Sequence, residues 1–273
     1  MSIIAISREL GSLGTVIGTT VAERLRYKYV YQELTSEAAR DYEVLEERLI
    51  HVVEKAPRFL EKLKGDFRSY QAMVQAQVFK AAQRDNIVLV GRWSTLLLRE
   101  IGHTVRVRVT APIEVRARRV AEMMQVSEDK ALEIVRENDT ERGERMRYLY
   151  DVDWTAPHLY DLVLNTENIS VEAGAALIAR LVEEKQFQTN DASRKKLRNV
   201  ALASRIRAEL KSHRATDAVD LDIRVDDGRV ELRGIVASEP EKRAVERRVA
   251  HMKGVEKIES QLQVLQYRGR RIT

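Results

Sequence analysis

The sequence predicts an α/β protein: a parallel sheet with helices on both faces, followed by a small α+β module. Three observations carry this expectation. Short apolar, β-branched runs at Ile3–Ile6, Ile87–Val90, Val105–Val109 and Leu162–Leu164 read as buried strands, and helical patterns separate them. Such alternation favours a parallel sheet whose ligand loops gather at its carboxyl edge. Beyond residue 197 the pattern changes to helix, hairpin, helix and strand.

The first strand runs into Ser7-Arg8-Glu9-Leu10-Gly11-Ser12-Leu13-Gly14-Thr15, after which Ile17, Val21 and Leu25 recur on one helix face. Strand, glycine turn and helix form the layout that points backbone amides and a helix N-terminus at a phosphate. Against the pattern G-x-x-x-x-G-K-[ST], the chain offers Arg8, Leu13, Gly14 and Thr15, so both glycines and the lysine are replaced and the hydroxyl remains. Leu45, Leu49 and Val52/Val53 mark the next helix, and Tyr70, Val74 and Val78 another that leads into the Ile87 strand. Gly91-Arg92 follows that strand at the ligand edge. Pro112 suits a first helical turn, continued through Val115, Arg119 and Met123 and carrying Arg116, Arg118 and Arg119. Arg136, Asp139, Arg142 and Arg145 recur at threefold spacing in a charged, lid-like segment. Arginine suits phosphate because its planar fork bonds bidentately and keeps its charge.

The polar stretch 186–196 reads as a linker, separating a domain at 1–185 from one at 197–266, with a basic tail at 267–273. In the second domain Leu202, Ile206 and Leu210 give a helix face, Val219–Val225 and Val230–Val236 alternate around Asp227-Gly228, and a helix around 240–252 precedes a last strand at Ile258–Val264.

Composition narrows the function classes. No apolar run approaches the ~20 residues of a membrane helix, and the N-terminus lacks a signal-peptide pattern. The absence of cysteine removes disulfides and thiolate metal sites, so the cytoplasm is the expected compartment. The net charge of +5 resides in residues 191–273, which carry 20 Lys+Arg against 13 Asp+Glu. There the charges alternate on helix faces, the pattern of a solvated surface, and no nucleic-acid partner is expected. The five histidines lack metal-ligand spacing.

Ile-Ser-Arg-Glu-Leu-Gly-Ser at 6–12, Val90-Gly91-Arg92, Ala111-Pro112-Ile113-Glu114 with Arg116 and Arg119, Asp153-Trp154, and Tyr160–Thr166 together resemble the cytidylate kinase-like family of P-loop nucleoside monophosphate kinases. The resemblance spans about residues 1–185. It implies a P-loop fold and transfer of the ATP γ-phosphoryl group, with Mg²⁺, to CMP or dCMP. By position, Gly11, Ser12, Leu13, Gly14 and Thr15 would cradle ATP phosphates, and Thr15 would approach Mg²⁺. Arg8, Asp139, Arg142 and Arg145 would serve transfer from the loop and the lid. Arg92, with Trp93 beside it, would hold the acceptor, and Asn165 and Thr166 would lie near the adenine. The segment Glu33–Phe79 would be the helical monophosphate region.

Gly14 in place of the lysine leaves an electrostatic gap, which Arg8 fills if its side chain folds back over the loop. Two readings stay open: an active kinase, and a nucleotide-binding sensor without turnover. Residues 197–266 resemble a BON domain through Gly228–Gly234 and His251–Val255, which implies a small ligand, a phospholipid surface or a protein partner. A third reading makes that module the effector on a kinase scaffold.

Overall fold

A computed structural model describes residues 2–31, 33–54, 66–91 and 93–265, with backbone alone at 51–54 and 66. Arg92, the basic tail, Val52/Val53 side chains and residues 55–65 of the expected monophosphate region lie outside the described residues.

The first domain is built on strands β1 (Ile3–Arg8), β2 (Lys28–Val30), β3 (Ile87–Val90), β4 (Thr104–Thr110) and β5 (Leu162–Asn165). They pair in parallel in the order β2-β3-β1-β4-β5. The alternation of β1 explains the two covered faces, because side chains point to opposite sides of a strand. Ile4 and Ile6 pack with Ile17 and Val21 of helix α1 (Gly14–Leu25) and with Ala175 and Ile178 of helix α8 (Val171–Glu183). Ile3 and Ala5 face the other way, toward Val78 and Phe79 of helix α4 (Asp66–Ala82) and toward Leu197 and Ala201. Between these lie α2 (Glu33–Asp41), α3 (Glu46–Glu54), the single turn α5 (Ser94–Leu97), α6 (Ile113–Met124) and α7 (Glu128–Tyr150).

The helix expected from Pro112 through Met123 is α6, and its buried side carries Arg116, Ala117, Val120 and Ala121, whereas Met123 is exposed. The charged lid-like segment is one continuous 23-residue helix, α7, through Gly143.

The C-terminal module has β6 (Asp222–Asp226) antiparallel to β7 (Arg229–Val236), which pairs in parallel with β8 (Lys257–Val264), and α10 (Glu239–Ala250) covers them. Residues 191–196, expected as linker, are the start of α9 (Asp191–Lys211), whose N-terminus is closed by a reciprocal Asn190–Ser193 capping box. This helix belongs to both cores. Leu197 and Ala201 pack under the parallel sheet, and Ile206 and Leu210 pack in the module. A rigid shared helix therefore replaces a flexible joint. Among the described residues no helix is long and apolar enough to cross a membrane.

Candidate functional site

The β1–α1 loop stands at the carboxyl edge of the sheet, between β3 and β4, where crossovers leave in opposite directions and α/β sheets bind ligands. A cavity of about 820 Å³ opens there. Arg8, Gly11, Leu13, Gly14 and Thr15 line it from the loop, Trp93 from the end of β3, and Arg142 and Arg145 from α7. The structure thus gathers most of the residues that the sequence singles out.

Arg8 holds a defined pose. Its guanidinium stacks 4.5 Å from the Tyr31 ring centroid, and its Nε lies 3.4 Å from Thr15 Oγ1. The chain has made room for this side chain twice. A Cβ on Gly14 would sit 2.4 Å from Arg8 Cβ, and one on Gly91 would sit 2.6 Å from Arg8 Nη1. A lysine at position 14 is therefore incompatible with Arg8 in this pose. The residue ahead of Gly14, Leu13, adopts the left-handed conformation at φ 62° and supplies no side-chain cap to α1. Amides at the start of α1 are left facing the cavity, with the positive end of the helix dipole behind them.

Arg142 reaches the loop from the opposite side. It donates to the Arg8 carbonyl and stacks 4.5 Å over Trp154. Burial first, then the positive charges of Arg8 and Arg145, pulls its ionisation down from the usual arginine range to about 9. An anion in the cavity would relieve that strain. Among the described residues no carboxylate lies within ion-pair distance of Arg8 or Arg142.

Four expected site residues are absent from the cavity lining. Ser12 is fully buried, and both its hydroxyl and its amide donate to the Glu9 carbonyl. Asp139 is held by Arg116 through two hydrogen bonds of 3.1 and 2.7 Å. Thr166 is buried, donates from its hydroxyl to the Ser12 carbonyl at 3.0 Å and accepts from Arg119 Nη1 at 3.0 Å. Asn165 is exposed, and its side chain accepts from the Glu167 amide.

Glu9 is the residue that motif reading passed over. It is buried, joined to Arg108 at 2.5 Å and Arg116 at 3.3 Å, and accepts from Thr110 Oγ1 at 2.6 Å. Arg119 adds hydrogen bonds to the Gly11 and Thr166 carbonyls. Arg108 and Arg116 are thus struts that fix the loop from behind, while Arg119 braces the loop and also lines the cavity. Trp154, one of the residues that carry the resemblance, orients Arg142 and lies 5.1 Å from the Arg108 guanidinium.

A family model for the cytidylate kinase-like family matches residues 3–168. The chain belongs to that family. The model of the BON domain matches residues 199–266, so a kinase-family domain and a BON domain share one chain. Among curated relatives, the protein named cytidylate kinase in Methanosphaera stadtmanae is 30% identical over 132 residues, covering 47% of this chain and 72% of the relative. The cytidylate kinase of Pyrococcus horikoshii is 26% identical over 199 residues, covering 72% and 96%. An uncharacterized protein of Eubacterium ventriosum shares the fold at a TM-score of 0.54 and 20% identity, over 68% of this chain and 100% of that one. Membership in the family fits the loop architecture, in which Arg8 stands at the first motif glycine and Gly14 at the lysine.

Proposed function

We propose that this family member transfers the γ-phosphoryl group of ATP to a pyrimidine nucleoside monophosphate of the CMP or dCMP type. One observation carries the reading: Arg8 and Arg142 converge on a cavity headed by the α1 N-terminus with no carboxylate within ion-pair distance of either among the described residues, the lining carboxylate of Glu9 being held by Arg108 and Arg116. Phosphoryl transfer asks for positioning and positive charge rather than covalent chemistry. Arg8 takes the electrostatic part that a lysine plays at position 14 elsewhere, and Gly14 and Gly91 leave the space for it. Arg142 and Arg145 face the transferred group from α7. Asp139 acts indirectly, by fixing Arg116 behind the loop.

Mg²⁺ would accompany ATP and offset phosphate charge, and Thr15 Oγ1, which lines the cavity 3.4 Å from Arg8 Nε, would be the protein oxygen offered to it. The carboxylates of Glu9 and Asp139 are engaged by Arg108 and Arg116 and would not be offered to the ion. Arg92 and Trp93 serve the acceptor, and Asn165 serves the adenine edge. Thr166 supports the loop from behind. The BON domain is a regulatory attachment to this site.

Release of ADP in the presence of MgATP and CMP, dCMP or UMP tests the reading, and turnover with at least one of the three is the expected result. Binding of an ATP analogue without turnover would replace it with the nucleotide-sensor reading. Neither binding nor turnover would overturn both.

A further inference from the structure

Strand order decides which side chains can meet above the cavity. β3 lies between β1 and β2, so Arg8, the last residue of β1, and Tyr31, the residue after β2, stand on either side of the β3 end. Val30 pairs with Leu89 and Ile6 with Val90, and the Gly91 amide donates to the Ile6 carbonyl at 2.8 Å. The Arg8 side chain crosses above Gly91 to reach Tyr31. A Cβ at position 91 would sit 2.6 Å from Arg8 Nη1 and 3.9 Å from the Tyr31 ring. Glycine also suits the backbone there, at φ 75°.

Tyr31 is itself held in place. Its amide donates to Glu33 Oε2 at 2.8 Å, at the first residue of α2, and its half-buried ring packs against the core between α1 and the sheet. The face of that ring takes the Arg8 guanidinium at 4.5 Å. Among the described residues no carboxylate lies within ion-pair distance of Arg8, and its hydrogen bond to Thr15 Oγ1 is long, at 3.4 Å. An arginine side chain has much rotamer freedom to lose, and the aromatic face is the contact here that offsets the loss. The guanidinium is thereby strung between two parts of the cavity. Its Nε points to Thr15 on the phosphate loop, and its Nη1 lies over Gly91, where the residues expected to hold the acceptor begin.

We propose that Tyr31 is a positioning residue of this site: its ring sets the Arg8 guanidinium at the seam between the donor phosphates and the acceptor. The inference rests on the reading above in taking the ligand of Arg8 to be a nucleotide phosphate. A cation fixed at that seam offsets the negative charge that two phosphate-bearing ligands bring together, and it needs no rearrangement when they meet. Tyr31 also opens the segment that leads into α2, so one ring joins the expected monophosphate region to the phosphate loop.

A double-mutant cycle in the full chain tests this, with wild type, Tyr31→Leu, Arg8→Ala and the double variant, and with Tyr31→Phe beside them. Each protein is measured for its affinity for a non-hydrolysable ATP analogue with Mg²⁺, and for kcat of ADP release with MgATP and CMP, dCMP or UMP. Tyr31→Leu should weaken the analogue roughly three- to tenfold, the loss of one cation–π contact, and lower kcat at least as much. Tyr31→Phe should stay within about twofold of wild type, because the ring face carries the contact. In the Arg8→Ala background, Tyr31→Leu should change neither quantity by more than about twofold, since a residue that acts through Arg8 has nothing left to place. Equal losses in the two backgrounds would overturn the proposal by making Tyr31 a direct contact of the nucleotide or a structural prop. So would a Tyr31→Leu protein that matches wild type, or a Tyr31→Phe protein as impaired as Tyr31→Leu; a thermal melt shows that each variant folds. Coupled losses of analogue affinity in a chain that turns over none of the three monophosphates would keep this proposal and remove the kinase reading. A wild type that binds no analogue overturns both.

Discussion

Two sets of arginines surround the same nine-residue loop and do opposite things. Behind it, Arg108 and Arg116 end on Glu9 and Asp139, and Arg119, at the cavity edge, ends on the carbonyls of Gly11 and Thr166. In front of it, Arg8 and Arg142 rest on the rings of Tyr31 and Trp154, with no carboxylate in reach among the described residues. A guanidinium that ends on a carboxylate is neutralised within the structure. Arg8, stacked on an aromatic face, and Arg142, held by an aromatic face and one backbone carbonyl, keep their charge for a ligand, and placing the two together makes the cavity costly until an anion arrives.

This comparison can be broken at several points. The largest effect is expected from the rear set: Glu9→Ala leaves Arg108 and Arg116 buried without their shared partner, and should cost about 3–5 kcal/mol of stability, read as a lower unfolding midpoint in urea. In front, Arg8→Ala should lower phosphoryl transfer by about 10²–10³ with little change in that midpoint, since one charge-stabilising donor is removed and no ion pair is broken. Loss of stability from Arg8→Ala, or loss of activity alone from Glu9→Ala, would invert the assignment.

A buried titratable group sharpens the contrast away from the loop. His103 is fully buried, 3.3 Å from Asp85, which Arg194 of α9 also approaches at 3.7 Å. Burial, opposed by Asp85, lowers the His103 pKa from its ordinary value of 6.5. The folded state therefore holds fewer protons than the unfolded chain just below that pH, so this contribution is fully present above about pH 6.5 and is lost as pH falls through it. The slope of stability against pH between 5 and 6.5 should flatten in His103→Gln. The smallest change concerns Leu13, whose left-handed backbone costs roughly 1 kcal/mol that glycine does not incur. Leu13→Gly should raise the unfolding midpoint by about that amount and leave nucleotide binding intact or tighter.

Much of the frame was legible because it rests on local pattern. Ile87–Val90 is a strand at the residues that its apolar run marks, and β1 extends its run by two residues to Arg8, where pairing with β4 continues. The three-residue β2 carries too little apolar signal to be read. The start of α9 was read as linker because its capping residues, Asn190 and Ser193, are turn formers in sequence and its first buried apolar residue is Leu197. In the site, the loop and the cavity-facing arginines were legible through their spacing from strand ends. The Glu9–Arg108–Arg116 assembly was not: its members come from three elements, and nothing local distinguishes a paired arginine from a ligand-facing one. The commitment of Asp139 to Arg116, and of Thr166 to Ser12, escaped the sequence for the same reason.

The central claim is that Arg8, folded over the loop, stands in for the missing lysine in holding nucleotide phosphate. Titration of a non-hydrolysable ATP analogue with Mg²⁺ into wild type and Arg8→Ala tests it most directly. Binding that weakens with added salt and falls at least about tenfold in the variant is the predicted result. Equal affinity in the two proteins would contradict it.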